Sequence, residues 1–198
     1  EISLGLVGSE MCIRDRIGNL GGVQIVGDAG FARAQRAVED IEADALAIHL
    51  NPLQESIQPE GDHNWQGVEA AIARLADKLD CPVIVKEVGA GLGPDVVRRL
   101  YAAGAAYVDV AAKGGTNWAL IEWLRQNPDK QALYSPFLQM GIGLPEAVRA
   151  ARDIWLGLEH LHTVLGTPHL ALHPNNIVLA RRSAKRRGAS GSHTCAST

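Results

Sequence analysis

The stretch ALAIHLNPLQESIQPEGD, residues 45–62, decides how the chain is read. Residues 45–50 are a short apolar run centred on Ile48, the length and composition of a buried strand. Pro52 cannot continue a central strand, so the sheet stops there and a loop begins. Around that point cluster His49, Asn51, Gln54, Glu55, Gln58, Glu60 and Asp62, with Pro59 among them. His49 sits within the apolar run and needs a polar partner if it is buried. Polar residues past a strand end suit an ordinary solvated loop. They also suit a site, because parallel α/β proteins build theirs in the loops at strand C-termini.

Working outward, the pattern is strand, loop, helix, repeated. GNLGGVQIVG from residue 18 begins with a strand and a glycine-rich turn that allows close backbone approach. Phe31, Ala34, Val38 and Ile41 lie at helical spacing over 29–42. After the central stretch, Trp65, Val68, Ala71, Ile72, Leu75 and Leu79 form an apolar stripe on a helix, with Asn64 as the expected N-cap. Pro82–Val88 is a third strand, Val- and Ile-rich as when both faces are covered. Pro94 opens a helix whose Val97, Leu100 and Tyr101 face inwards, and Gly104 ends it. Tyr107–Ala112 is a fourth strand, and KGGTN at 113–117 leads into a helix with Leu120, Ile121 and Leu124. The alternation predicts parallel βαβ units. Past Asn127 the signal weakens, with one further helix expected over Pro145–Trp155.

Three charges in strands need an explanation. Lys86 lies within PVIVKEV, where a charge is costly unless paired or facing a ligand. It could pair with Glu87 or Asp109, or its ammonium could meet an anion. Glu87 is expected on the opposite face, since neighbouring strand residues alternate. The amides of 113–117 offer an anion site at a helix start, although Gly-Gly before a helix is common.

IHLNPLQE with QPEGD, PVIVKEVG at 82–89, VDVAAKGGTNWALIE at 108–122 and GNLGGVQ at 18–24 together resemble the type 2 isopentenyl-diphosphate isomerases. The resemblance covers residues 17–125 and thins towards 153. It implies an α/β fold, part of a TIM (β/α)8 barrel with about strands 3–6 present. It further implies isomerisation of isopentenyl diphosphate to dimethylallyl diphosphate with reduced FMN, Mg2+ and NADPH as reductant. By resemblance Asn19, Lys86 and Thr116 contact flavin, although Gly18 replaces the family's usual alanine. His49, Asn51 and Gln54 contact substrate, with catalytic roles for His49 and Gln54, and Glu55 binds magnesium. Ala111 and Ala112 depart from the family's small residue and glycine. The implied partner is a small isoprenoid diphosphate, within a homo-oligomer. With about half of the eight strands a barrel needs, the chain by itself is expected to turn over little or not at all.

Two other functions stay open. One is FMN-dependent 2-hydroxy-acid oxidation on a related barrel, for which a base histidine with paired arginines is not evident. The other is a non-catalytic interaction module built on a basic tail. Arg181, Arg182, Lys185, Arg186 and Arg187 are five of 19 basic residues, leaving 14 against 22 acidic ones in the rest of the chain. That body carries no nucleic-acid footprint. Three scattered cysteines, Cys12, Cys81 and Cys195, argue against a disulfide scaffold or structural zinc. The composition, 46% apolar and 21% charged, is that of a soluble domain. Without a run of about 20 apolar residues or a secretion-type leader, no membrane contact and a cytoplasmic location are expected. Residues 1–16 resemble translated adapter sequence and are expected to lie outside the fold. Residues 17–155 are expected to form the domain, and 156–198 a divergent, disordered basic tail.

Overall fold

The computed structural model describes residues 16–149 and the backbone of residues 178–180. The expected N-terminal segment and basic tail lie outside these residues, apart from Arg16 and that short piece of backbone. The strands are β1 (Ile17–Gly21), β2 (Ala45–Leu50), β3 (Val83–Glu87), β4 (Tyr107–Asp109) and β5 (Val178–Ala180). The helices are α1 (Gly27–Asp40), α2 (Pro52–Ile57), α3 (Val68–Lys78), α4 (Pro94–Ala102), α5 (Trp118–Leu124) and α6 (Pro128–Tyr134), with 144–149 also helical.

All five strands belong to one sheet in the order β1-β2-β3-β4-β5. The first four are parallel, and β5 runs antiparallel against β4. This corrects the expected partial TIM barrel. Closure requires about eight strands whose tilt and stagger agree. The described residues instead form an open α/β sheet whose outer edges are β1 and β5, and the antiparallel β5 is foreign to a barrel of parallel strands.

Register and pleat decide which side chains share a face, because paired residues in a parallel ladder point the same way. Leu46 pairs with Val83 and Ile48 with Val85, which pairs in turn with Val108. These five are buried with Ala34, Ile72, Leu75, Val97 and Leu100 from α1, α3 and α4, forming the core under the helical layer. Burying each aliphatic side chain fully contributes about 2 kcal/mol.

Several local features follow from sequence and two differ from it. Pro94 opens α4, and Gly104, at φ 97°, follows its last turn in the left-handed conformation expected of a stop. The N-cap of α3 is Gly67, at φ 85°, rather than Asn64, whose Oδ1 instead accepts from the Gln66 amide at 3.1 Å. Pro52 does end the strand, yet it starts a helix instead of a loop. It occupies the first turn of α2, where its missing N–H costs nothing. Among the described residues, no helix is long and apolar enough to cross a membrane.

Candidate functional site

On the sheet face away from the core, one register row runs Gly21, His49, Lys86, Asp109 across four strands. The row below it contains Asn19 and Ala47, then Ile84 and Tyr107. Asn19, His49 and Lys86, far apart in sequence, therefore lie on three neighbouring strands. His49 Nδ1 lies 3.3 Å from Asn19 Oδ1. An amide oxygen only accepts, so Nδ1 carries the proton and Nε2 is left with a free lone pair. A Cβ on Gly21 would lie 3.3 Å from that Nε2, so glycine keeps the nitrogen open.

Lys86 is half-buried, and among the described residues it makes no ion pair or hydrogen bond. Asp109 is its neighbour in register but turns its Oδ1 to the Ala111 amide at 3.1 Å, beside a backbone at φ 34°. Burial holds the His49 imidazolium pKa below its ordinary value; the Lys86 charge lowers it further, and Glu55 pulls the other way. A histidine that resists protonation when folded binds fewer protons than its unfolded counterpart. Its contribution to stability is then intact above the ordinary value of 6.5 and is lost as pH falls towards the folded pKa. Urea denaturation between pH 7 and 5 is expected to show this decline, and His49→Phe to flatten it. An equal slope in the variant would remove His49 as the cause.

The α2 residues form a second group. Asn51 is buried and donates from Nδ2 to Glu55 Oε1 at 2.7 Å and to Gln54 Oε1 at 3.4 Å. Glu55 Oε2 accepts the Asp62 amide at 2.8 Å. Gln54 Nε2 reaches Glu122 Oε1 at 3.5 Å, and Glu122 Oε2 takes Arg125, which also binds Glu60 at 3.0 Å. Glu122 is buried, bridges α5 to α2 and was missed in the sequence. The available signal was Glu122 three residues before Arg125 on one helix face.

Thr116 shares a cleft with the α2 group. With Gln54, Glu87, Gly89, Trp118 and Met140 it lines a cleft of about 170 Å³ past the ends of β2–β4. Asn117 Oδ1 caps α5 through the Leu120 amide at 3.0 Å, and Lys113 Nζ donates to Gln139 O at 2.9 Å. Lys113 is thus committed to holding the 139–143 segment. The structure brings Asn19, His49 and Lys86 together on the sheet and Gln54 with Thr116 in the cleft. Asn51 and Glu55 are tied by hydrogen bonds at the base of α2, with Glu55 close enough to bias His49.

This arrangement defines an α/β protein whose polar groups gather past the C-terminal ends of parallel strands, where such folds bind small ligands. No family model matches the chain. Over 138 residues it is 49% identical to the isopentenyl-diphosphate delta-isomerase of Stutzerimonas stutzeri, covering 69% of this chain and 40% of that protein. Proteins of the same name from Deinococcus radiodurans and Synechocystis are 47% and 48% identical over 72% and 65% of this chain, covering 42% and 37% of theirs. The chain therefore spans about 40% of the length of the relatives it matches. These findings correct the type 2, flavin-dependent assignment to a coarser one. The relatives' names state an activity and neither a type nor a flavin, and the shared part is less than half of each.

Proposed function

We propose that the chain carries part of an enzyme site for the isomerisation of isopentenyl diphosphate to dimethylallyl diphosphate. The carrying observation is the adjacency of Lys86, a half-buried ammonium unpaired among the described residues, to a His49 held towards its neutral form. The relatives' names support the same activity.

In this reading the diphosphate meets the Lys86 ammonium. The reaction adds a proton to the terminal methylene carbon and removes one from the carbon between the double bond and the diphosphate-bearing carbon. Protons and electrons balance without net oxidation. An isoprenoid offers no strong polar handle, so geometry decides which proton moves. His49, neutral with Nε2 open, and Gln54, anchored by Glu122, orient the chain rather than acting alone.

The finer part of the proposal is dependence on FMN and Mg2+, with NADPH as reductant. The residues present fit both groups. The Asn19 amide, in the register row of Ala47, and the Lys86 ammonium, in that of His49, share one face of the sheet and are the groups that would hold a flavin ring. Among the described residues no three acidic, histidine or cysteine side chains gather as a metal site. Magnesium would accordingly take Glu55, whose oxygens accept only neutral donors, and complete its shell with phosphate oxygens and water. Reduced FMN, when bound, would supply acid–base chemistry beside the substrate, favoured in its anionic form by Lys86.

The test uses the full chain with FMN, dithionite, magnesium and isopentenyl diphosphate in D2O. Saturable quenching of oxidised FMN fluorescence before dithionite is added, and afterwards deuterium entering the isoprenoid slowly and only while Gln54 is intact, are expected. Absence of saturable binding by both flavin and diphosphate would remove the proposal.

A further inference from the structure

Glu87 ends β3 on the face opposite Lys86 and is 3% exposed. Its Oε2 accepts the backbone N–H groups of Val88 at 2.7 Å, Gly89 at 2.5 Å, Ala90, and Gly91 at 3.0 Å. Four successive amides converge on one oxygen because the loop turns through positive φ at Gly89 and Gly91, 139° and 87°. Such concave sets of N–H groups are anion-binding nests. This one lies on the wall of the cleft that also contains Gln54 and Thr116.

We infer that Glu87 is a built-in anion that fills this nest and thereby determines where a ligand's phosphate oxygens can go. Its carboxylate is tethered next to the loop it occupies, so it binds without the loss of translational freedom that a free anion incurs. It also places negative charge in the cleft wall, repelling a second anion. The loop after β3 is closed to phosphate, and Lys86, one residue away on the other face, is left as the charge that receives it. The first half of this inference stands on the geometry alone. The second half rests on the diphosphate reading above.

The consequence is specific: removing the carboxylate should expose a vacant anion site. In the Glu87→Ala chain, acetate at constant ionic strength is expected to raise the melting temperature, with no comparable rise in the unsubstituted chain. Pyrophosphate titrations then compare Lys86→Met with the double variant Lys86→Met/Glu87→Ala. The double variant is expected to bind about tenfold more tightly, the gain of one charge-assisted hydrogen-bond set. Equal acetate responses in wild type and Glu87→Ala would overturn the nest. Equal pyrophosphate affinities would overturn its role in directing anions. Should Glu87→Ala fail to fold, hydrogen exchange decides. Amides 88–91 should be protected in the wild type and lose about tenfold in Glu87→Gln, whereas exchange as free as at Gly114–Gly115 in the wild type would overturn the inference. Failure of the wild type to bind pyrophosphate counts against the proposed function, and the acetate result still judges Glu87.

Discussion

Gly61→Ala is expected to cost about 3 kcal/mol of stability, the upper end for an overpacked site. The result looks out of proportion for a residue in a surface turn. A Cβ built on Gly61 would sit 1.9 Å from the carbonyl oxygen of Glu55, 2.7 Å from its carbonyl carbon and 3.0 Å from its Cα. Each of these atoms is backbone, so no rotamer change relieves the clash. Either the last turn of α2 or the 58–61 turn must move. That turn is fastened by Gly61 N to Gln58 O at 3.1 Å, and the next amide, Asp62, holds Glu55 Oε2. A shift sufficient for a methyl group would loosen Glu55 and, through it, Asn51. Urea denaturation should show the loss, and the Asp62 amide should lose protection from exchange. A change within about 0.5 kcal/mol, the ordinary range for surface substitutions, would show that the turn relaxes freely.

The same turn shows what could and could not be read from the chain. QPEGD was visible as a polar segment after a strand, and the strand itself was placed at residues 45–50, as observed. Strands of this kind announce themselves, because a sheet covered by helices demands uninterrupted Val, Ile and Leu. The opposed directions of Lys86 and Glu87 also followed from the two-residue period, and the structure places them so. Pro52 was more ambiguous, since proline ends a strand and equally begins a helix, and the sequence does not say which effect prevails.

Glu122 stayed hidden for a different reason. In α5 the residues that look like a core, Leu120, Ile121 and Leu124, are 38%, 39% and 61% exposed, whereas Ala119 and Glu122 are buried. Hydrophobic period alone would turn that helix the wrong way round. What orients it is a polar network reaching back 68 residues to Gln54, a long-range contact no local pattern encodes. The barrel expectation failed similarly. Strand and helix order is local, but closure depends on pairings between distant ends, and here β4 pairs with an antiparallel strand instead.

Lys86→Met is the substitution expected to alter the site most while leaving the fold in place, since methionine preserves the apolar stem and removes only the ammonium. Two readouts follow from one cause. First, the Lys86 charge holds the His49 pKa down. Without it, burial still lowers that pKa and Glu55 still raises it, so the titration of the His49 ring is expected to move upward, measured by the NMR shifts of its ring protons against pH. Second, an anion seated on this row loses the one lysine or arginine that the row contains. A charge-assisted hydrogen bond contributes about 1.5–3 kcal/mol, so affinity for pyrophosphate should fall about 10- to 100-fold. The two measurements constrain each other. A shift of His49 without a loss of affinity would place the anion away from the sheet, and the site would have to be sought in the cleft of Gln54 and Thr116. A loss of affinity with His49 unmoved would mean that Lys86 acts on the ligand from a position out of reach of the imidazole, contrary to the register that pairs them. Only both changes together are consistent with an ammonium and an imidazole sharing one ligand on the same face of the sheet.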